Sequence, residues 1–455
     1  MASLSEIINA ISNVVWGWPM IILLFGTHIF LTIRLKCPQR KIWTAIRLSV
    51  KPDRESQGDV SHFGALAMSL AACVGTGNIV GVATAISLGG PGAVFWCFMT
   101  GLFGIATKYA EGLLAVNFRV RTPDGEMAGG PMYALERGLK MKWLAVLFSL
   151  FTALAAFGIG DAVQAKAISD NLIQFFPHAD AEVVKLLIGV GVASLVALVV
   201  FGGIKSISRI CVFLIPFMAV FYLLGCLYIL VMNADYLWPA IRLICQDAFS
   251  LRAGLGGTAG VAIMTTMRYG IARGLFSNES GLGSAPIVAA AAQSRNPVRQ
   301  ALVLSSGAFW DTVLICTCTG LTIVSSVLAN DSMDWQTTGV LTQQAFSTIP
   351  YVGTLILSFS LITFAFSTIL GWSYYGEKAV EYLVGKRFIR AYRVLWILVV
   401  ILGSTMSLTV VWDIADILNA LMSIPNLVSL IALSGLMVRD TQYFLWEDHL
   451  DETKE

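Results

Sequence analysis

Charge is scarce in this sequence. Asp, Glu, Lys and Arg together make up 13% of its 455 residues, about half the ~25% of a soluble domain. Hydrophobic residues make up 56%, more than a soluble globule hides from water. A disordered chain, which needs low hydrophobicity and high net charge, is excluded for the same reason. The net charge is only +2, so no nucleic acid and no strongly acidic partner is implied. The four histidines (28, 62, 178 and 449) include no pair at metal-ligand spacing, so a zinc or iron centre is not expected. The eight cysteines include no CxxC. Cys316 and Cys318 sit two apart and point away from each other on a helix, so reduced thiols in apolar surroundings are expected. There is no HExxH, GxSxG or Walker sequence to carry an enzyme's chemistry, and no repeated filter loop to make a channel. What remains is a polytopic membrane protein that is not an enzyme.

A spanning helix takes about 20 mainly apolar residues. Eleven such segments run near 14–35, 62–88, 91–114, 143–172, 184–204, 209–232, 255–290, 300–327, 351–376, 391–411 and 414–438. The first reads as a permanent span, because Met1 to Ala10 holds no Lys or Arg and a cleaved signal carries a basic n-region. Phe63 to Thr107 and Trp335 to Gly376 hold no charged residue, and the first of these tracts is two spans joined by Gly89-Gly90-Pro91-Gly92. Basic residues gather in alternate links: Arg34 to Arg54, Arg119 to Lys142, Lys205 and Arg209, Arg295 and Arg299, and Lys386 to Arg393. The opposite links hold few, such as Lys185, Arg242 and Arg252, and the link 328–350 holds none. Basic links stay in the cytoplasm. That places the N-terminus outside and the tail, which carries Asp448-His449-Leu450-Asp451-Glu452, inside. No loop is long enough for a soluble domain. The expected division is 1–60 for the first helix and its basic linker, 61–232 and 254–438 for two five-helix repeats, and 439–455 for a cytoplasmic tail.

Backbone in lipid must satisfy its own hydrogen bonds, so a helix break is tolerated only where it is buried or lines a watery cavity. One glycine cluster, Val74-Gly75-Thr76-Gly77-Asn78, lies in the middle of span 2. A small-residue packing face is the plain alternative, but it does not call for Asn in mid-span, where an unpaired amide costs several kcal/mol. A second lies in span 7: Gly254-Leu255-Gly256-Gly257, then Thr265 to Gly270, then Gly274 and Ser277 to Pro286. That region is longer than one straight helix needs, and a broken span followed by a cytoplasmic half-helix fits it. Arg268 and Arg273 inside it are costly in hydrocarbon unless both snorkel at the interface. Spans 2 and 7 are each first in a run of five and cross in opposite directions. Paired interruptions of this kind point to a transporter site. A half-helix N-terminus with freed amides attracts a carboxylate, and freed carbonyls attract Na⁺ or an ammonium group. The physical reading is a zwitterion carried with a cation.

Several motifs resemble those of the alanine/glycine:cation symporter family. They are Val74-Gly75-Thr76-Gly77-Asn78-Ile79, Gly89-Gly90-Pro91-Gly92-Ala93-Val94-Phe95-Trp96, Gly125-Glu126-Met127-Ala128-Gly129-Gly130-Pro131-Met132-Tyr133, Gly274-Leu275-Phe276-Ser277-Asn278-Glu279-Ser280-Gly281 and Leu370-Gly371-Trp372-Ser373-Tyr374-Tyr375-Gly376-Glu377. The resemblance implies Na⁺-coupled, in some members H⁺-coupled, uptake of small neutral amino acids such as alanine and glycine, with glutamine an alternative. It implies an all-α fold of eleven transmembrane helices, one N-terminal helix plus a ten-helix inverted-repeat core like that of neurotransmitter:sodium symporters, with two broken helices. It places the amides of Thr76 and Gly77, with Gly75, at the substrate carboxylate and gives Asn78 an ordering role. It puts Na⁺ on the carbonyls of Ala71 and Val74 and the hydroxyls of Ser367 and Thr368, hard oxygens suited to an alkali cation. Taken alone, those two hydroxyls would be read as bonding to their own helix. Gln164 and Thr368 are implied substrate contacts. Met267, Arg268 and Tyr269 are assigned to the break in span 7. Asp161, three residues before Gln164 on one helix face, is either a proton or charge site or a partner of Lys166 or Arg268. Asp311 reads as a structural hydrogen-bonding acid. Glu279 with Gly281 to Pro286 is either an inner gate or a linking turn. The remaining partners are the lipid bilayer of a cell (inner) membrane. Oligomeric state is not encoded in any of these features.

Overall fold

The computed structural model of the chain describes residues 14–51, 57–250, 259–337, 339–406 and 408–454, with Ile8, Ile11 and Asp53. Most of Met1 to Ala10, Arg54, Arg252, the Gly254–Gly257 cluster and the expected repeat boundary at 254 lie outside the described residues.

The apolar runs form eleven long helical segments in the expected order. They are Trp18–Arg34, His62–Cys73 continued as Gly77–Gly89, Ala93–Asn117, Lys142–Ile173, Ala181–Val200, Gly203–Met232, Ala259–Asn278, Pro297–Ala329, Gly353–Val384, Ile389–Gly403 and Leu408–Ala432. Polar caps set several starts. Ser61 Oγ accepts the Gly64 amide at 3.0 Å, and the Asp180 carboxylate accepts those of Glu182 and Val183. Asn296 accepts the Arg299 amide ahead of Pro297, whose missing N–H costs nothing at a first helical position. Span 9 runs on to Val384, beyond its apolar tract, because Glu377 pairs with Arg393 and Lys378 with Glu381.

The links hold short helices that hydropathy does not announce: Ile42–Val50, bent away from span 1, Ala234–Asp247 and Leu341–Ser347. The turn between spans 2 and 3 is held by Asp247, whose Oδ2 accepts the Gly92 amide at 2.9 Å. A Cβ on Gly92 would lie 2.3 Å from the Ala248 nitrogen, so only glycine fits there.

Spans 3, 8 and 9 form the centre, with 67%, 61% and 61% of their most apolar stretches buried. Spans 5 and 6, at 22% and 33%, turn most of their Leu, Val and Phe outward. Outward apolar surface on that scale needs lipid to cover it.

Three central spans are widened into π turns: Gly77–Gly81 in span 2, Ala156–Ala162 in span 4 and Phe309–Cys316 in span 8. These turns carry Asn78, Asp161 and Asp311. Such bulges lift backbone groups out of the regular ladder and recur at functional sites.

Candidate functional site

The break in span 2 begins where Val74 leaves the helix in an extended conformation (φ −77°, ψ 91°) and ends at the π turn from Gly77, with a bend of 51°. Asn78 holds it open. Its Oδ1 accepts the Gly75 amide at 2.9 Å, and its Nδ2 donates to Asp311 Oδ1 at 2.7 Å. Asp311 Oδ2 also accepts from Ser277 at 2.8 Å and Thr312 at 2.6 Å. Asn78 is therefore a brace, and Asp311 is the hydrogen-bonding anchor that its sequence context suggests.

Span 9 passes against the break. Ser367 Oγ lies 3.3 Å from the Ala71 carbonyl and Thr368 Oγ1 lies 3.5 Å from the Val74 carbonyl, while both hydroxyls also donate to Phe364 O. The expected oxygens on spans 2 and 9 thus come together. Gln164 completes this side. Its Nε2 donates to Ile159 O at 3.0 Å, and its Oε1 is buried without a partner among the described residues. A Cβ built on Gly75 would stand 2.5 Å from Thr368 Oγ1 and 3.5 Å from Gln164 Oε1. Thr76 Oγ1 is likewise buried and unpartnered among the described residues. From Thr76 a cavity of about 210 Å³ extends between spans 2, 4 and 9, with Asp170, Asn171, Gln174 and Gln343 in its walls.

Span 7 departs from expectation. Ala259–Asn278 is one continuous helix, and the interruption falls at Glu279 to Ser284, before the short helix Ala285–Ala289. Glu279, Gly281 and Gly283 have positive φ values of 56°, 89° and 86°. Met267, Arg268 and Tyr269 are therefore not at the break. Thr266 Oγ1 bonds to Gly89 O at 2.6 Å, and Tyr269 packs on Gly89, twelve residues beyond Gly77 and roughly 18 Å along a helix. Arg268 stacks 5.7 Å from the Tyr269 ring centroid. The span 7 side chain that meets the first break is Phe276, whose ring lies 3.1 Å from a Cβ built on Gly77. Arg273 sits 5.8 Å from that ring and 4.0 Å from Asp416 on span 11.

The second break has its own braces. Glu111 Oε1 accepts the amides of Gly281 and Gly283 and the Asn426 side chain, at 3.1, 3.0 and 2.7 Å. Glu279 accepts from Trp372 Nε1 at 2.8 Å and Ser284 Oγ at 2.6 Å. Lys108 is fully buried, with its ammonium 3.1 Å from Cys73 Sγ at the lip of the first break.

Asp161 is fully buried, and neither of its carboxylate oxygens has a partner among the described residues. Lys166 pairs with Asp170 instead.

On the face that carries the basic links, Asp53 ties the chain ahead of span 2 to the 7–8 link. Its Oδ1 accepts Arg295 Nη2 at 2.6 Å and its Oδ2 lies 3.5 Å from Arg299, which also binds Asp451 of the tail at 2.6 Å. Burial pushes the Asp53 carboxyl up, but the hydrogen bonds from Arg295 and the charges of both arginines outweigh it and hold the carboxyl below its ordinary value.

Residues 1–455 match the family described as the sodium:alanine symporter family. The sodium/alanine symporter AgcS of Methanococcus maripaludis is 48% identical over 447 residues, covering 96% of this chain and 97% of that protein. The chain belongs to the sodium:alanine symporter family. It is a multi-pass membrane protein, as members of that family are. The fold is shared more widely. MhsT, solved in complex with L-phenylalanine, superposes with a TM-score of 0.63 at 17% identity over 83% of this chain and 89% of that one. A Na⁺-coupled sialic acid symporter superposes at 0.51 and 14% identity, over 94% and 86%. The chain shares its helical fold with these two transporters, and its helices break after Val74 and at Glu279 to Ser284.

Proposed function

We propose that this protein takes up a small neutral amino acid, alanine or glycine, together with Na⁺ across a cell membrane, with its N-terminus outside and its tail in the cytoplasm. The observation that carries the reading is the meeting of Ser367 and Thr368 with the carbonyls of Ala71 and Val74 at 3.3 and 3.5 Å. Four neutral oxygens at a helix break suit an alkali cation. In this reading Na⁺ draws both hydroxyls away from Phe364 O and fixes the break. The amides of Thr76 and Gly77 then donate to the substrate carboxylate, with Thr76 Oγ1, Gln164 Oε1 and Thr368 around it. The Gly75 amide serves the site indirectly, because Asn78 holds it. The lack of space around Gly75 supports a small side chain on the substrate. The five-helix units 61–232 and 254–438 act as the two repeats, and rocking of one part of the core against the rest alternates access. Asp161 is the reserve charge site, since an unpaired buried acid in a membrane core is costly to keep without a use.

Because the two ligands share one break, each tightens the other by the same factor. The test is equilibrium binding of labelled alanine to the purified protein, with Na⁺ replaced by choline. The reading predicts strong loss of alanine binding without Na⁺ and competition by glycine. Sodium-independent binding would refute the shared site, and competition by glutamine but not glycine would overturn the substrate.

A further inference from the structure

Beyond the proposed transport site, a cavity among the described residues is walled almost wholly by hydrocarbon. It measures about 300 Å³ and lies between spans 2, 6 and 8 and the helix Ile42–Val50, which is at the small end of ligand pockets. Leu66, Leu70 and Val74 of span 2 form one wall, Pro216 and Ala219 of span 6 another, and Trp310 of span 8 a third. Val50 and Val220 on its rim are 70% and 56% exposed, so the cavity opens sideways into the membrane. From Phe63 to Val74, both in its wall, span 2 rises roughly 16 Å, about half of a ~30 Å hydrocarbon core. That is the depth of one leaflet. The shallow end is cationic. Arg47 and Lys51 flank the lining residues Ile46 and Val50 and are exposed. Arg209, also exposed, lies seven residues before Pro216 and so on the same face of span 6, two turns nearer the surface.

We propose that this groove holds one acyl chain of an anionic phospholipid from the leaflet facing the basic links, with its phosphate against Arg47, Lys51 and Arg209. The apolar depth takes the chain, and the cationic rim selects the headgroup. The chain would end against Val74, where span 2 breaks, so the lipid would brace the wall of the transport site from behind.

The test uses Trp310 as a reporter, taken as the fluorescence lost in Trp310→Phe. The full-length protein is placed in phosphatidylcholine vesicles that contain rising fractions of brominated-chain phosphatidylglycerol or brominated-chain phosphatidylcholine. Trp310 should be half-quenched at a phosphatidylglycerol fraction at least about fivefold lower than for phosphatidylcholine, the factor given by about 1 kcal/mol of headgroup selection. The triple variant Arg47→Gln, Lys51→Gln, Arg209→Gln should bring the two lipids to the same fraction. Ala219→Phe, which fills the groove, should protect Trp310 from both. Equal quenching by the two lipids in the unmodified protein would reduce the groove to ordinary boundary lipid and overturn the proposal. A Trp310 signal untouched by either lipid would show that no chain enters.

Discussion

Removing the Thr368 hydroxyl should weaken Na⁺ binding far more than it disturbs the fold. Thr368 Oγ1 lies 3.5 Å from Val74 O and 3.0 Å from Phe364 O, so in the cation-free protein its loss costs only one bond back to its own helix. With Na⁺ bound, Thr368→Ala deletes one of four proposed oxygens. An interaction with a charged group is worth about 1.5–3 kcal/mol, and each 1.4 kcal/mol is tenfold. The Na⁺ concentration that half-saturates alanine binding should therefore rise roughly 10- to 150-fold. Thr368→Ser keeps the oxygen and should stay within about fourfold, since it loses a single methyl. Gly75→Ala attacks the same point from span 2. Its Cβ would stand 2.5 Å from Thr368 Oγ1, and overpacking of about 1–3 kcal/mol should cut alanine affinity about 5- to 150-fold. The assay is labelled-alanine binding titrated with Na⁺ on purified protein, with thermal melts as the folding control. An unchanged Na⁺ half-saturation in a folded Thr368→Ala protein would refute the cation set, whatever happens to transport.

Asn78→Ala should be the more damaging change to the fold, because it strands both the Gly75 amide and Asp311 Oδ1. At about 1–3 kcal/mol for each buried unpaired group, thermal melting should show a large drop, and a melt within a degree or two of the parent would contradict the bracing role. Asp161→Asn replaces an unpartnered buried carboxyl group and should raise the melting temperature while lowering transport, the usual trade at a strained functional group. Unchanged transport would end its assignment as a charge site. Arg299→Met should destabilise the protein by about 3–5 kcal/mol by leaving Asp53 short of a buried partner, read as lost denaturant resistance at pH 7. The Asp53 carboxyl titrates below its unfolded value, so its contribution is complete above the unfolded value of about 3.9 and is lost as pH falls through the folded one. The deficit of Arg299→Met should therefore shrink in acid, and a pH-independent deficit would contradict the ion pair.

Most of the spans were legible because they are long apolar runs: among the described residues seven helices are long and apolar enough to cross a membrane, or nine with the two bent pairs. The first break was legible because Asn78 has no business in mid-span without a partner, and that partner proves to be Asp311. The second break lies further along the chain than its glycines suggest, for a physical reason. Glycine serves close packing as well as chain reversal, and sequence does not separate the two uses. Gly270 and Gly274 let span 7 lie against span 3, where a Cβ would stand 2.4 Å from Ala93 O or 2.0 Å from Thr100 Oγ1. Gly281 and Gly283 are the ones with positive φ. Lys108 and Glu111 carry no sequence signal of burial, because charges near the end of a span ordinarily reach the interface. Only the packing of spans 2, 3, 7 and 11 reveals them as buried. Phe276 is one of 25 phenylalanines, and nothing local in the sequence distinguishes it. Ser367 and Thr368 look like ordinary helix hydroxyls until span 2 is laid beside them.

The central claim is that one chain couples a Na⁺ gradient to the uptake of a small neutral amino acid. Its most direct test is uptake of labelled alanine into proteoliposomes, with an inward Na⁺ gradient against a choline control at matched pH. The account predicts transient accumulation above the external concentration with Na⁺ and none with choline. Equal accumulation in choline, or uptake that only equilibrates in both, would contradict it.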